Sequence, residues 1–97
     1  MPDLLHEYWE NEDGSEFCPV REEADRLRPT LMPNAKLVFS LYAPSWFQAM
    51  QRRNEQLEYG DYLTPDGMSD HFYTDDDKAE QDRYLEVRNL MSGRFSS

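Results

Sequence analysis

Lys36-Leu37-Val38-Phe39-Ser40-Leu41-Tyr42-Ala43-Pro44-Ser45-Trp46-Phe47-Gln48 is the stretch whose reading decides the fold. Its first eight residues read as a strand. Leu37, Phe39 and Leu41 fall on one face, and Val38, Ser40 and Tyr42 on the other. Both faces are mostly apolar and rich in β-branched and aromatic side chains, which predicts a central strand over 36–43. Pro44 ends it, because a proline cannot donate to a ladder. Ser45 then reads as a helix N-cap, with Gln48 completing a Ser-x-x-Gln capping box. A helix over 45–59 follows, with Trp46, Phe47, Met50 and Leu57 as its apolar stripe and Ala49 beside them. Gly60 stands where a left-handed C-terminal cap belongs.

Upstream, 1–20 reads as a β-hairpin. Leu5 and Trp9 share one face of its first strand, Leu4 and Tyr8 the other. Asp13-Gly14 marks the turn on the expectation that the glycine takes a positive φ. Pro19 puts the end of the returning strand at an edge or in a loop. Residues 21–28 permit one or two helical turns, anchored by Ala24 and Leu27. The prolines at 29 and 33 make 29–34 extended or looped, with Leu31 and Met32 dipping into the core.

Downstream, 61–73 is open between a second hairpin, turning at Thr64-Pro65-Asp66-Gly67, and an irregular loop tacked down by Tyr62, Phe72 and Tyr73. Thr74 or Asp75 caps a C-terminal helix over 75–91, whose first-turn aspartates suit the helix dipole. Tyr84, Val87 and Met91 are its expected buried stripe, flanked by Leu85 and Leu90. Ser92 and Gly93 end it, and 92–97 is expected to fray. The fold expected is one small α+β domain over 1–97. It has an antiparallel sheet of three or four strands, with the two main helices packed on one face.

Composition narrows function mainly by exclusion. The chain has 97 residues, of which 38% are hydrophobic and 13% aromatic, too much apolar material for a disordered segment. Cys18 is the single cysteine, so an intrachain disulfide and a Cys-rich zinc site are excluded. The start of the chain lacks the basic end and apolar core of a signal peptide, and the expected compartment is the cytoplasm. Net charge is −10, which disfavours direct binding to nucleic acid or to an anionic membrane and suits a basic protein partner. The charge is uneven. Residues 1–33 carry nine acids and three bases, residues 34–60 two acids and three bases, and residues 61–97 nine acids and four bases. The stretch that decides the fold is therefore near neutral between two acidic flanks.

Three functional readings follow. The first, which the sequence favours, is a cytoplasmic protein–protein interaction or regulatory module without catalytic activity or cofactor. Trp46, Phe47, Arg52 and Arg53 are its candidate contacts, and a second copy of the chain is a further candidate partner. The second is an acidic mimic of nucleic acid that occupies a DNA- or RNA-binding protein, using Asp75, Asp76, Asp77, Glu80 and Asp82 as a stripe. The third is a metal-dependent or Cys/His enzyme assembled from His6, Cys18 and His71. No ligand spacing, glycine-rich phosphate loop or EF-hand pattern supports the third.

Overall fold

The computed structural model describes residues 2–64 and 66–95. In chain order the elements are β1 (Leu4–Asn11), β2 (Gly14–Pro19), α1 (Glu22–Leu31), β3 (Lys36–Ala43), α2 (Trp46–Leu57) and α3 (Asp75–Phe95). The three strands form one antiparallel sheet in the order β2-β1-β3, and the whole is a small α+β domain. The N-terminal strand is therefore the central one. The apolar run 36–43, expected at the centre, is an edge strand and mostly exposed. Apolar residues on both faces make a strand suitable for a centre, but pairing with partners distant in sequence decides which strand takes it.

The β1–β2 hairpin forms around a two-residue loop, with Asn11 opposite Gly14. Its turn works differently from the sequence expectation. Gly14 has no positive φ. Instead the Asn11 carboxamide oxygen accepts the N–H groups of Asp13 and Gly14 at 2.9 and 3.0 Å, an Asx turn.

β1 is covered on both faces. On one, Leu4, His6 and Tyr8 are buried. The rings of Phe17, Trp46 and Tyr73 lie 5.5–6.2 Å from that of His6, and Tyr8 stacks on Phe39 at 5.0 Å. α2 lies on this face, brought close by Ala43 and Ala49, both fully buried. Ser45 caps α2 as expected, its hydroxyl accepting the Gln48 N–H at 3.2 Å. Asp70 accepts the neighbouring Phe47 N–H at 2.9 Å. Residues 61–64 and 66–73 run as irregular loop. It returns through a Ser45–Phe72 bridge and a Tyr73 N–H bond to the Pro44 carbonyl, and Tyr62 sits against Phe47. Pro65 lies outside the described residues.

The other face carries Leu5, Glu7 and Trp9, and ionic groups cover it. The Arg28 guanidinium of α1 lies 4.2 Å above the Trp9 ring and pairs with Glu16 at 3.0 Å and Asp25 at 2.8 Å. Glu7, buried, accepts Trp9 Nε1–H at 3.2 Å and pairs with Arg88 of α3 at 2.6 Å. Tyr84 donates to Asp25. So α1 is anchored by Arg28 rather than by Ala24 and Leu27. It also runs through Pro29 to Leu31, one turn past the expected stop, and Leu31 is exposed.

The C-terminal helix departs most from expectation. A reciprocal Thr74–Asp77 capping box opens it. It starts on the α2 side, where Tyr73 meets His6, and crosses an end of the sheet. Its later turns reach the opposite face through Tyr84 and Arg88. The two main helices thus do not share one face. Gln81 makes the crossing, where β2 has ended at Pro19. Its side-chain oxygen accepts the Leu5 N–H at 2.8 Å, and its amide group donates to the carbonyls of Leu5 at 3.0 Å and Val20 at 3.1 Å. The stripe facing the body is Gln81, Tyr84 and Arg88, while Val87 and Leu90 are exposed. Met91's side chain lies outside the described residues. The helix continues past Ser92 and Gly93 to Phe95, and 96–97 lie outside the described residues.

Candidate functional site: the open edge of the sheet

Antiparallel pairing alternates the direction of backbone polar groups along a strand. The Leu5 carbonyl accepts the Val20 N–H at 2.9 Å, and Gln81 takes both Leu5 backbone groups, so these point toward the β2 side. Leu5 is opposite Tyr42 in the β1–β3 register. Tyr42 therefore turns its own N–H and C=O outward, and by the two-residue alternation Ser40 does too. Arg52 supports this placement, since its guanidinium reaches over from α2 to donate to the Tyr42 carbonyl.

Beside these groups Leu37, Val38 and Tyr42 are 45%, 51% and 51% exposed. The register shifts near Val38, leaving it without an opposite residue in β1. Natural edges are blunted by charge, proline or a bulge. β3 has a lysine at its start, an irregularity at Val38 and a proline just after its end, but 37–43 itself carries no charge and no proline. Next to it, Leu41, Arg52, Glu55, Gln56 and Glu58 line a shallow depression of about 450 Å³.

The four contact residues named from the sequence are dispersed, and of them Arg52 reaches this edge. Trp46 is half-buried between His6 and Phe17, part of the core and of the wall of a second groove. Phe47 faces Tyr62. Arg53 bonds to Asn54 at 2.8 Å and lies over the Phe17 ring. The second groove, about 1180 Å³, opens between the end of β2 and α3, with Phe17, Val20, Trp46, Tyr73 and Tyr84 among its walls.

His6, Cys18 and His71 are not brought together. His6 is fully buried. Its Nδ1 lies 3.0 Å from the Leu4 carbonyl, which can only accept, so Nδ1 carries the proton and Nε2 accepts from the Tyr73 hydroxyl at 2.7 Å. Burial pushes its pKa down to about 4, opposed by the bond to Leu4 and helped by the positive Arg52. Cys18 points to the opposite face of the sheet from its neighbour Phe17, toward Glu16 at 3.4 Å. Burial, then the Glu16 carboxylate, pushes its thiol up to about 11, which keeps it protonated at neutral pH and a poor nucleophile. His71 is exposed and 3.7 Å from Asp77. Among the described residues, no three His, Cys, Asp or Glu side chains are grouped to hold a metal ion.

Of the acidic stripe on α3, Asp77 is taken up in the capping box and Asp82 pairs with Lys78 at 3.0 Å. Asp75, Asp76 and Glu80 are exposed. No described helix is long and apolar enough to cross a membrane. Comparison with protein-family models, curated proteins and solved structures finds no match to this chain.

The open edge escaped the sequence reading because β3 is as apolar as a central strand. No local signal separates the two, since the strand 4–9, with four apolar residues in six and a glutamate, reads less like a centre than 36–43, with six in eight.

Proposed function

We propose that this chain is a non-catalytic protein–protein interaction module that docks a partner by strand addition at β3. The observation carrying this reading is the row of exposed Leu37, Val38 and Tyr42 beside outward backbone groups on an uncharged edge. Strand addition gives affinity through main-chain hydrogen bonds and specificity through alternate side chains. On β3 those side chains would be Val38 and Tyr42, with Arg52, Glu55 and Glu58 lining the depression beside them. A partner strand would displace the Arg52 guanidinium from the Tyr42 carbonyl, leaving it available for a carboxylate.

The test is affinity capture at low and moderate salt with the native chain and with Tyr42→Lys, followed by mass spectrometry. Both chains are first checked for the same thermal transition. A stoichiometric partner that survives moderate salt with the native chain and is lost with Tyr42→Lys supports edge docking. Retention of that partner by Tyr42→Lys refutes it. A basic partner shed as salt rises and indifferent to Tyr42 would point instead to the acidic surface.

A further inference from the structure

We infer that the strand added at β3 is β3 of a second copy, giving a two-fold dimer with a continuous six-stranded antiparallel sheet. This rests on the reading of β3 as a docking edge and names the occupant of that edge. The first argument is self-complementarity, which a two-fold interface requires. The uncharged segment 37–43 is centred on Ser40. Placing the axis there sets Ser40 opposite Ser40 of the second copy, and Tyr42 opposite Val38. It also sets Leu41 opposite Phe39 and Ala43 opposite Leu37. Apolar residues meet apolar residues throughout, and Lys36 meets Pro44 rather than another charge. The outward groups of Ser40 can pair with those of Ser40 in the second copy, while those of Tyr42 meet the irregularity at Val38.

The second argument is charge. Two chains of net charge −10 repel, and the approach of least repulsion is through residues 34–60, which carry two acids against three bases. The flank on α2 is complementary to itself. Arg52 stands at the Tyr42 carbonyl, while Glu55 and Glu58 lie one and two turns further along the same depression. A two-fold axis through Ser40 brings Arg52 of each copy toward Glu55 and Glu58 of the other. Two strands and two helix flanks make an interface at the small end of the range for specific complexes.

Sedimentation velocity across micromolar concentrations, at low and high salt, tests the inference together with a register-specific crosslink. The expected result is a shift from monomer to dimer mass with concentration that grows with salt, because screening relieves the repulsion between two acidic chains. In a Cys18→Ser background, Ser40→Cys should form an intermolecular disulfide under mild oxidation, whereas Leu31→Cys, exposed on α1, should not. Tyr42→Lys should give monomer, with the thermal transition that the native chain shows at concentrations where it too is monomeric. Monomer mass under all conditions, with no Ser40→Cys crosslink, overturns the second copy as occupant. Dimer mass unaffected by Tyr42→Lys overturns it as well, since the copies would then meet elsewhere. Either failure leaves the docking-edge reading to be judged separately, by whether Tyr42→Lys abolishes capture of a different protein.

Discussion

The imidazole of His6 sits among the rings of Phe17, Trp46 and Tyr73 with no exposed surface, so a second proton would place a charge where water cannot reach it. The folded state keeps this histidine neutral to about pH 4, against 6.5 for a free histidine. The lowered pKa sets the sign of the effect. Its contribution to stability is complete above pH 6.5. It is lost as pH falls from 6.5 toward 4, because the unfolded chain takes up the proton first. The loss over that window should reach about 3 kcal/mol. Denaturant unfolding at a series of pH values would show it, with NMR titration of the His6 ring as the direct check. A ring that titrates near 6.5 in the folded protein would remove the effect. The sequence revealed the residue but not its state. A histidine next to a glutamate on a strand reads equally as surface, ligand or core, and the position of Tyr73, far along the chain, decides among these. Gln81 was opaque for the same reason, since nothing in its helical neighbourhood announces that its amide will stand in for a strand.

Local signals carried the secondary structure well where a few consecutive residues suffice. The Ser45–Gln48 cap, the β1–β2 hairpin and the two main helices were legible because capping and pairing of near neighbours need little else. The end of α2 shows how such reading goes astray. Gly60 looked like the left-handed cap, yet the helix stops at Leu57 and Glu58 takes the left-handed conformation, with φ at 59°. Its N–H closes on the carbonyls of Asn54 and Glu55. A residue with a Cβ is disfavoured there by about 1 kcal/mol or more. Glu58→Gly should therefore raise stability by up to about 1 kcal/mol, after the entropy of the unfolded chain is allowed for. Thermal or urea unfolding measures this, and a destabilised variant would mean that the glutamate side chain matters more than its backbone. The edge position of β3 belongs to the same lesson. Composition describes what a strand can tolerate, and only the sheet order says which neighbours it has.

Across the domain, apolar burial and polar burial share the work. Among the described residues the buried set has six apolar members and six polar or charged ones. Glu7, Glu16 and Asp25, with Arg28 and Arg88, link β1, β2, α1 and α3 on one face, while stacked aromatic rings hold the other. That division explains why a search for apolar stripes misplaced α3. Its body-facing row is Gln81, Tyr84 and Arg88, and a stripe built from hydrogen-bonding side chains is invisible to a hydrophobic pattern. The candidate site was half legible. The near neutrality of residues 34–60 fell on the stretch that holds the open edge, but of the residues chosen within it Trp46 and Phe47 pack against other rings and Arg52 reaches that edge.

The place of β1 at the middle of the sheet also carries a consequence in time. Of the three strands it is the first to be synthesised and the last to be satisfied. Its ladder waits for β3, its Leu5 backbone for a side chain 76 positions later, and its Glu7 for an arginine 81 positions later. Contacts of such long sequence separation must close large loops before they stabilise anything, so folding should be slower than that of a helical bundle of this size, and β1 is completed only once residues 81–88 have been made. A fragment of residues 1–80 should keep local helix and hairpin signal by circular dichroism yet unfold without a cooperative transition. A sharp melt in that fragment would show that the sheet can close before α3 arrives.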